Sequence, residues 1–270
     1  MCRLLGYAAP GPETVEGVLG GAERRVFADM ARLHRDGWGT AWQDDDGLHG
    51  VVRASAATAD PLLERALAAD SAAARIVHLR LATRGMACSP ENTHPFLAGG
   101  MAFAHNGSLE PTGPIERLIS ARHRAALTGT TDSERYFAAI RTAVDEGLPP
   151  LDAAVATVST LREAYPGRSL NALLLTGREL IAVHASEGVP IPHEEFAASG
   201  IPAPQLPRHH QDAYYLMRMR RRADGAVVLA SSGLDIAGWD PLPAESVTRV
   251  DLATLAVTTA PLRTAASRAA

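Results

Sequence analysis

Cysteine is scarce in this chain of 270 residues, where only Cys2 and Cys88 occur. Two thiols so far apart cannot staple a small secreted scaffold, and they predict reduced side chains in a cytoplasm. A metal site built on them would need histidines at ligand spacing. The ten histidines show no such cluster beyond the adjacent His209 and His210, so neither a metal nor another cofactor is expected. No apolar run reaches the ~18 residues that span a bilayer. The chain does not open on a basic segment followed by an apolar one, so no secretory signal is expected either. Excess positive charge is also missing. The formal net charge of -4 gives no global attraction to nucleic acid or to an anionic membrane. Internal repeats and a clear linker are absent, which predicts one domain over residues 1–263 and a frayed tail over 264–270.

What is present is an ordinary globular composition, 46% hydrophobic and 21% charged. Arg3 to Ala8 reads as a strand that begins at once. Helical patterns cover Glu13 to Leu19 and Arg25 to Leu33. Gly37 to Gln43 and Leu48 to Arg53 flank a turn of three aspartates and a glycine, a hairpin signal. Pro61 to Ala69 reads as a helix with proline at its start. Arg75 to Ala82 alternates charged or His residues with Ile, Val and Leu, the pattern of a half-buried strand. Met101 to His105 is a further strand. Helices follow over Ile115 to Ala126, from Thr131 to about Glu146 with Glu134 completing a capping box, and over Leu151 to Ala164. A hairpin spans Leu170 to His184 around Gly177-Arg178. Five prolines between Gly188 and Pro207 predict an excursion with little regular structure. Tyr214 to Arg220, Ala226 to Ala230, Ser246 to Asp251 and Leu255 to Ala260 read as closing strands. Strands, then helices, then strands without βα alternation predict an α+β fold with mostly antiparallel sheets.

Chemistry begins at Cys2. Removal of Met1 would place a thiol and a free α-amine on one carbon. An α-amine titrates near ~7.7–8.0 and a thiol near ~8.5, so the amine can serve as the base that generates the thiolate. Asn106-Gly107 stands where a strand runs out. It reads either as a type I′ turn or as an oxyanion hole made of an Asn amide and a Gly N–H. Arg80, near a strand's end, is either a solvated arginine or a bidentate partner for a carboxylate. Asp132, in the first turn of a helix, either complements the helix dipole or binds an ammonium group. Taken together, these groups suit an α-amino acid with a remote acyl group, such as glutamine or a γ-glutamyl compound. The basic run Arg218 to Arg222 beside Tyr214 and Tyr215 is short, and it reads as a solvated hairpin or anionic subsite rather than a nucleic-acid surface.

Six segments in register carry a resemblance. Met1-Cys2-Arg3-Leu4-Leu5-Gly6-Tyr7, His34-Arg35-Asp36-Gly37-Trp38-Gly39, the run from His78 to Gly85, Asn92-Thr93-His94-Pro95-Phe96, Phe103-Ala104-His105-Asn106-Gly107 and Thr131-Asp132-Ser133-Glu134 resemble the class II glutamine amidotransferases. The resemblance implies the four-layer αββα sandwich of the N-terminal-nucleophile hydrolases. It also implies that Cys2 is the nucleophile, that Asn106 and Gly107 form the oxyanion hole, that Arg80 with Thr83 holds the glutamine α-carboxylate, and that Asp132 takes the α-amino group. Arg84 and Leu81 depart from the His and Trp found there in the amidotransferases that make glucosamine phosphate. Asp36 to Gly39 reads as a strand start in the wall of the site.

The expected activity is cleavage of the γ-amide of glutamine or a γ-glutamyl compound through a Cys2 thioester, without cofactor or metal. Ammonia then passes to a separate synthase partner, or the chain is a stand-alone amidohydrolase. The second alternative resembles the amidohydrolases of ergothioneine synthesis, which also begin Met-Cys-Arg. A reading from another class is a non-catalytic module that senses glutamine. Neither nucleic acid nor membrane is an expected partner.

Overall fold

The computed structural model describes residues 2–58, 60–82 and 85–263. Its strands in chain order begin with β1 (Arg3–Glu13), β2 (Trp38–Asp44), β3 (Gly47–Arg53), β4 (Ala72–Leu79), β5 (Phe96–Ala98) and β6 (Met101–Asn106). They continue with β7 (Asn171–Thr176), β8 (Glu179–His184), β9 (Arg218–Arg221), β10 (Val227–Ala230), β11 (Asp240–Pro241), β12 (Ser246–Asp251) and β13 (Val257–Pro261). The helices are α1 (Val15–Leu19), α2 (Gly21–Asp29), α3 (Pro61–Ala68), α4 (Gly113–Glu116), α5 (Ala121–Ala125), α6 (Asp132–Asp145), α7 (Pro150–Ala164) and α8 (His193–Ala198).

Two sheets result. A seven-stranded one has the order β11-β9-β10-β1-β4-β2-β3, and a six-stranded one has β13-β12-β8-β7-β6-β5. Neighbouring strands pair antiparallel, as between β1 and β4 and between β6 and β7. Side-chain alternation along β1 shows why the sheets stack. Leu4 and Ala8 join Ile76, Ala104, Leu173 and Ala182 in a core between the two sheets. Leu5 and Tyr7, one residue out of phase, pack with Val15, Phe27 and Leu63 of α1–α3 on the opposite face. The second sheet repeats the pattern, with Phe103, Leu174 and Ile181 facing Tyr136, Phe137 and Val158 of α6 and α7. Helices on both outer faces and two sheets within give the αββα sandwich.

Several elements depart from their sequence patterns for local reasons. The strand expected half-buried at Arg75 to Ala82 is β4, and Arg75 and His78 are as buried as their apolar neighbours because the sheet is covered on both sides. The helix expected over Ile115 to Ala126 is two short ones, since the Ser120 hydroxyl accepts from His123 N at 3.3 Å and starts a new helix. Thr131 caps α6 by accepting from Glu134 N at 3.1 Å, while the Glu134 carboxylate turns to Thr128 N and Gly129 N instead of closing the box. The proline-rich excursion contains α8, whose Phe196 is buried against Tyr214. Tyr214 to Met217 are not strand, because the Tyr214 carbonyl accepts from the Arg3 guanidinium and the Ser232 hydroxyl, and the Tyr215 carbonyl from Asn171. The tail expected over 264–270 lies outside the described residues. Among those described, no helix is long and apolar enough to cross a membrane.

Arg3 anchors this last region to the central strand. It is fully buried, donates to Ser232 Oγ at 2.7 Å, and lies 3.8 Å over the Tyr214 ring. His34 and His210 pack edge to face beside it. The His34 Nδ1–H donates to Met30 O at 2.9 Å, leaving a bare Nε2. Burial first, and then the Arg3 charge, pull both imidazoles below their ordinary value, His210 to about 2. Their unfolded counterparts titrate near ~6.5. The folded state therefore binds fewer protons than the unfolded one below that pH, and stability is complete above ~6.5 and falls as the pH drops. Urea unfolding measured between pH 7.5 and 5 should show this loss, with a slope of up to ~1.4 kcal/mol per pH unit for each histidine. His210→Phe should flatten that slope, and an unchanged slope would remove His210 from the account.

Candidate active site

The site lies where the two sheets end together. Cys2 immediately precedes β1, at the middle of the first sheet, and Asn106 is the last residue of β6 in the second. The backbone N–H of Cys2 donates to Asn106 Oδ1 at 2.8 Å. That bond fixes the side-chain amide, yet its other end, Nδ2, is buried and has no partner among the described residues. A buried amide donor left open is costly unless something else accepts from it. The Cys2 thiol sits 3.9 Å from Leu81 O, two residues beyond β4.

Neither Asn106 nor Gly107 has a positive φ, so the pair is not a type I′ turn. Gly107 is needed for another reason. A β-carbon there would lie 2.0 Å from Ser169 O and 2.6 Å from His105 Nε2. Ser169 also donates through its hydroxyl to Asn106 O at 2.7 Å, clamping the Asn-Gly peptide from the far side. Ser169 is 63 residues from Asn106 and carries no signal in the sequence. Only the packing of the segment before β7 against the end of β6 reveals it.

Arg80 is buried at the end of β4, and its guanidinium donates to Asp36 O and Ala87 O at 3.3 Å each. Asp36 in turn accepts from Ala82 N at 2.8 Å. Arg80 is thus not the solvated arginine of a strand face. The Asp36 to Gly39 run leads into β2 and clasps the segment that follows β4 through Asp36 and Gly37. Thr83 lies outside the described residues. Asp132 is buried at the start of α6, where Oδ2 accepts from Leu109 N at 2.5 Å and Oδ1 from the Ser133 hydroxyl at 3.3 Å. It ties the loop after Gly107 to the helix. Asn92 braces the same helix entrance by accepting from Thr130 N at 2.9 Å.

Three histidines back the site. His105 contacts Ser133 Oγ at 2.9 Å and Ser169 O at 3.0 Å. His78 Nε2 and His94 Nδ1 are 3.0 Å apart. His94 is held against β2 because a β-carbon on Gly39 would come within 2.3 Å of the His94 carbonyl. Burial is the main cause that lowers all three imidazoles from their ordinary value, followed at His78 by the Arg80 charge and at His94 by His78. At His105 the Asp132 carboxylate works in the opposite direction. The gathering of Cys2, His78 and His94 corrects the expectation that no histidines stand near a cysteine at ligand distance. They come from three separate segments, so spacing in sequence could not show it.

A cleft of about 520 Å³ opens beside these residues, lined by Ala82, Ser108 and Ser169 on one side and by Pro190 to Glu195 and Tyr215 on the other. The proline-rich excursion is therefore one wall of the cleft. The basic run is accounted for by structure: Arg220 donates to Val18 O and stacks on Trp239, and Arg222 pairs with Asp224.

Comparison with known proteins agrees with this arrangement. The isomerizing glutamine–fructose-6-phosphate aminotransferase of Caulobacter vibrioides is 30% identical over 198 residues, covering 71% of this chain. The chain spans only 29% of that enzyme's length. The gamma-glutamyl-hercynylcysteine sulfoxide hydrolase of Mycolicibacterium smegmatis is 28% identical over 179 residues, 61% of this chain and 71% of that protein. A solved structure, the glutamine aminotransferase class-II domain protein from Silicibacter pomeroyi, has the same fold. It superposes with a TM-score of 0.62 at 18% identity, over 97% of this chain and 99% of that one. The sequence profile of the class II glutamine amidotransferases matches residues 1–235 on a sandwich of the N-terminal-nucleophile kind, and the protein belongs to that family of enzymes.

Proposed function

We propose that this enzyme cleaves the γ-amide of glutamine or of a γ-glutamyl compound through a thioester on Cys2, releasing glutamate. The observation that carries the reading is the Cys2 N–H bond to Asn106 Oδ1 at 2.8 Å, with Asn106 Nδ2 buried and open on the other side. Removal of Met1 turns the Cys2 nitrogen into an α-amine held in place by Asn106. That amine takes the thiol proton, and the thiolate attacks the γ-carbonyl. Asn106 Nδ2 and the Gly107 N–H then donate to the tetrahedral oxyanion, the role for which an unpaired buried donor is suited. The protonated amine gives its proton to the leaving nitrogen as the C–N bond breaks. Water attacks the thioester, returning the proton to sulfur and freeing glutamate.

Arg80 and Thr83 would hold the α-carboxylate and Asp132 the α-ammonium group. The backbone bonds of Arg80 and Asp132 fix their orientation before substrate arrives, which lowers the entropy lost on binding. A separate synthase that accepts ammonia is one destination of the product. The cleft supports a second reading, a stand-alone hydrolase acting on a γ-glutamyl conjugate with a bulky amine. About 520 Å³ beside Ser108 and Ser169 is far more room than ammonia needs.

Glutamate release from a panel of γ-glutamyl amides separates these readings. Wild type should release glutamate and Cys2→Ala none, with intact mass showing Met1 removed from the active enzyme. Fast turnover of glutamine supports an ammonia supplier, and turnover confined to bulky conjugates supports the hydrolase. Release by Cys2→Ala would end the thioester mechanism. Asn106→Ala should lower kcat by roughly 10²–10³-fold, while a change in KM alone would remove it from the oxyanion hole. Arg80→Lys loses bidentate geometry and should raise KM by about 10-fold or more; an unchanged kcat/KM would displace the carboxylate clamp.

A further inference from the structure

His78 and His94 form a buried pair that the proposed reaction does not use. The His105 backbone N–H donates to His94 Nδ1 at 3.4 Å, which makes that nitrogen an acceptor. The proton shared across the 3.0 Å gap therefore sits on His78 Nε2. His78 Nδ1, at the other edge of the ring, is buried without a partner among the described residues. The Cys2 thiol completes the group: one ligand atom from each of Cys2, His78 and His94 lies within 4.8 Å of the other two, and all three residues are buried.

We propose that Cys2, His78 and His94 form a binding site for a thiophilic divalent cation of the zinc class, which caps the nucleophile reversibly. One thiolate and two imidazoles are the donor set that such an ion prefers, and three protein ligands leave a fourth position for water. Zinc–nitrogen bonds of ~2.0–2.1 Å at a tetrahedral centre place the two nitrogens ~3.3 Å apart. The imidazole pair needs to open by only a few tenths of an ångström from its 3.0 Å separation. Proton balance follows from the tautomers. The ion replaces both the shared proton and the 3.4 Å bond from His105 N–H at His94 Nδ1; the shared proton moves to His78 Nδ1, and the thiol loses its proton to solvent. One proton is released per ion bound. Binding itself requires no turnover. Its effect on activity rests on Cys2 being the nucleophile, since a sulfur held by the ion cannot attack a carbonyl.

Cobalt(II) titration of the metal-free, full chain tests this, because cobalt reports thiolate ligation through a charge-transfer band and tetrahedral geometry through its visible bands. One equivalent should bind with both signatures, release one proton, and be displaced by zinc. His94→Gln should weaken binding by roughly 10-fold or more, whereas Cys88→Ser, at an exposed thiol away from the group, should leave it unchanged. Should His94→Gln fail to fold, alkylation of Cys2 in wild type provides the second arm and should abolish the band. Absence of a thiolate band, or its persistence after Cys2 is alkylated or His94 replaced, overturns the site. Glutamate release is measured in parallel with and without cobalt. Release without cobalt binding sinks the metal site alone, and cobalt binding without loss of release keeps the site but sinks the nucleophile assignment.

Discussion

A single hydrogen bond, from the backbone of Cys2 to the side chain of Asn106, joins the leading end of β1 to the trailing end of β6 across 104 residues of sequence. It works only because the sheets are stacked with those two ends in line. The stacking in turn depends on Leu4 and Ala8 facing Ala104 and Leu173 while Leu5 and Tyr7 face the helices. A shift of β1 by one residue would exchange these faces and carry Cys2 away from Asn106. The register of a core strand and the position of the nucleophile are therefore the same structural fact.

Around that bond the enzyme places buried polar groups whose partners are mostly backbone atoms. Arg80 rests on the carbonyls of Asp36 and Ala87, Asp132 on Leu109 N, Ser169 on Asn106 O, and Asn92 on Thr130 N. Bonds of this type leave little freedom, because the backbone they engage is held by sheets and helix caps. Preorganisation is what an oxyanion site requires, since donors that must reorient during the reaction stabilise its charge less. Asn106 Nδ2 is the exception, a buried donor without a partner among the described residues.

The wall of the cleft is built differently. Val189 to Pro192, the start of α8 and Tyr215 line the cleft without a strand ladder of their own. Arg3 holds the turn at Tyr214 by donating to Tyr214 O and Ser232 and by stacking on the Tyr214 ring. The residue next to Cys2 thus anchors the turn from which Tyr215 enters the cleft. The placement of Cys2 and that of the turn at Tyr214 share one origin at the start of β1.

The sequence alone determined the secondary elements with strong local signals: the β2–β3 hairpin, the strand ending at Asn106, the helices opened by Pro61 and Thr131, and the hairpin of β7 and β8. Through quoted motifs it also pointed to the nucleophile, the Asn-Gly pair and the family. Such features depend on neighbours a few residues apart, and turn chemistry, capping and periodicity encode those directly. The burial of β4 on both faces, the break at Ser120, the Ser169 clamp on Gly107 and the gathering of Cys2 with His78 and His94 were decided only in three dimensions. Each depends on which surfaces the stacked sheets bring together, and contact between residues tens of positions apart leaves no periodic trace in a single chain.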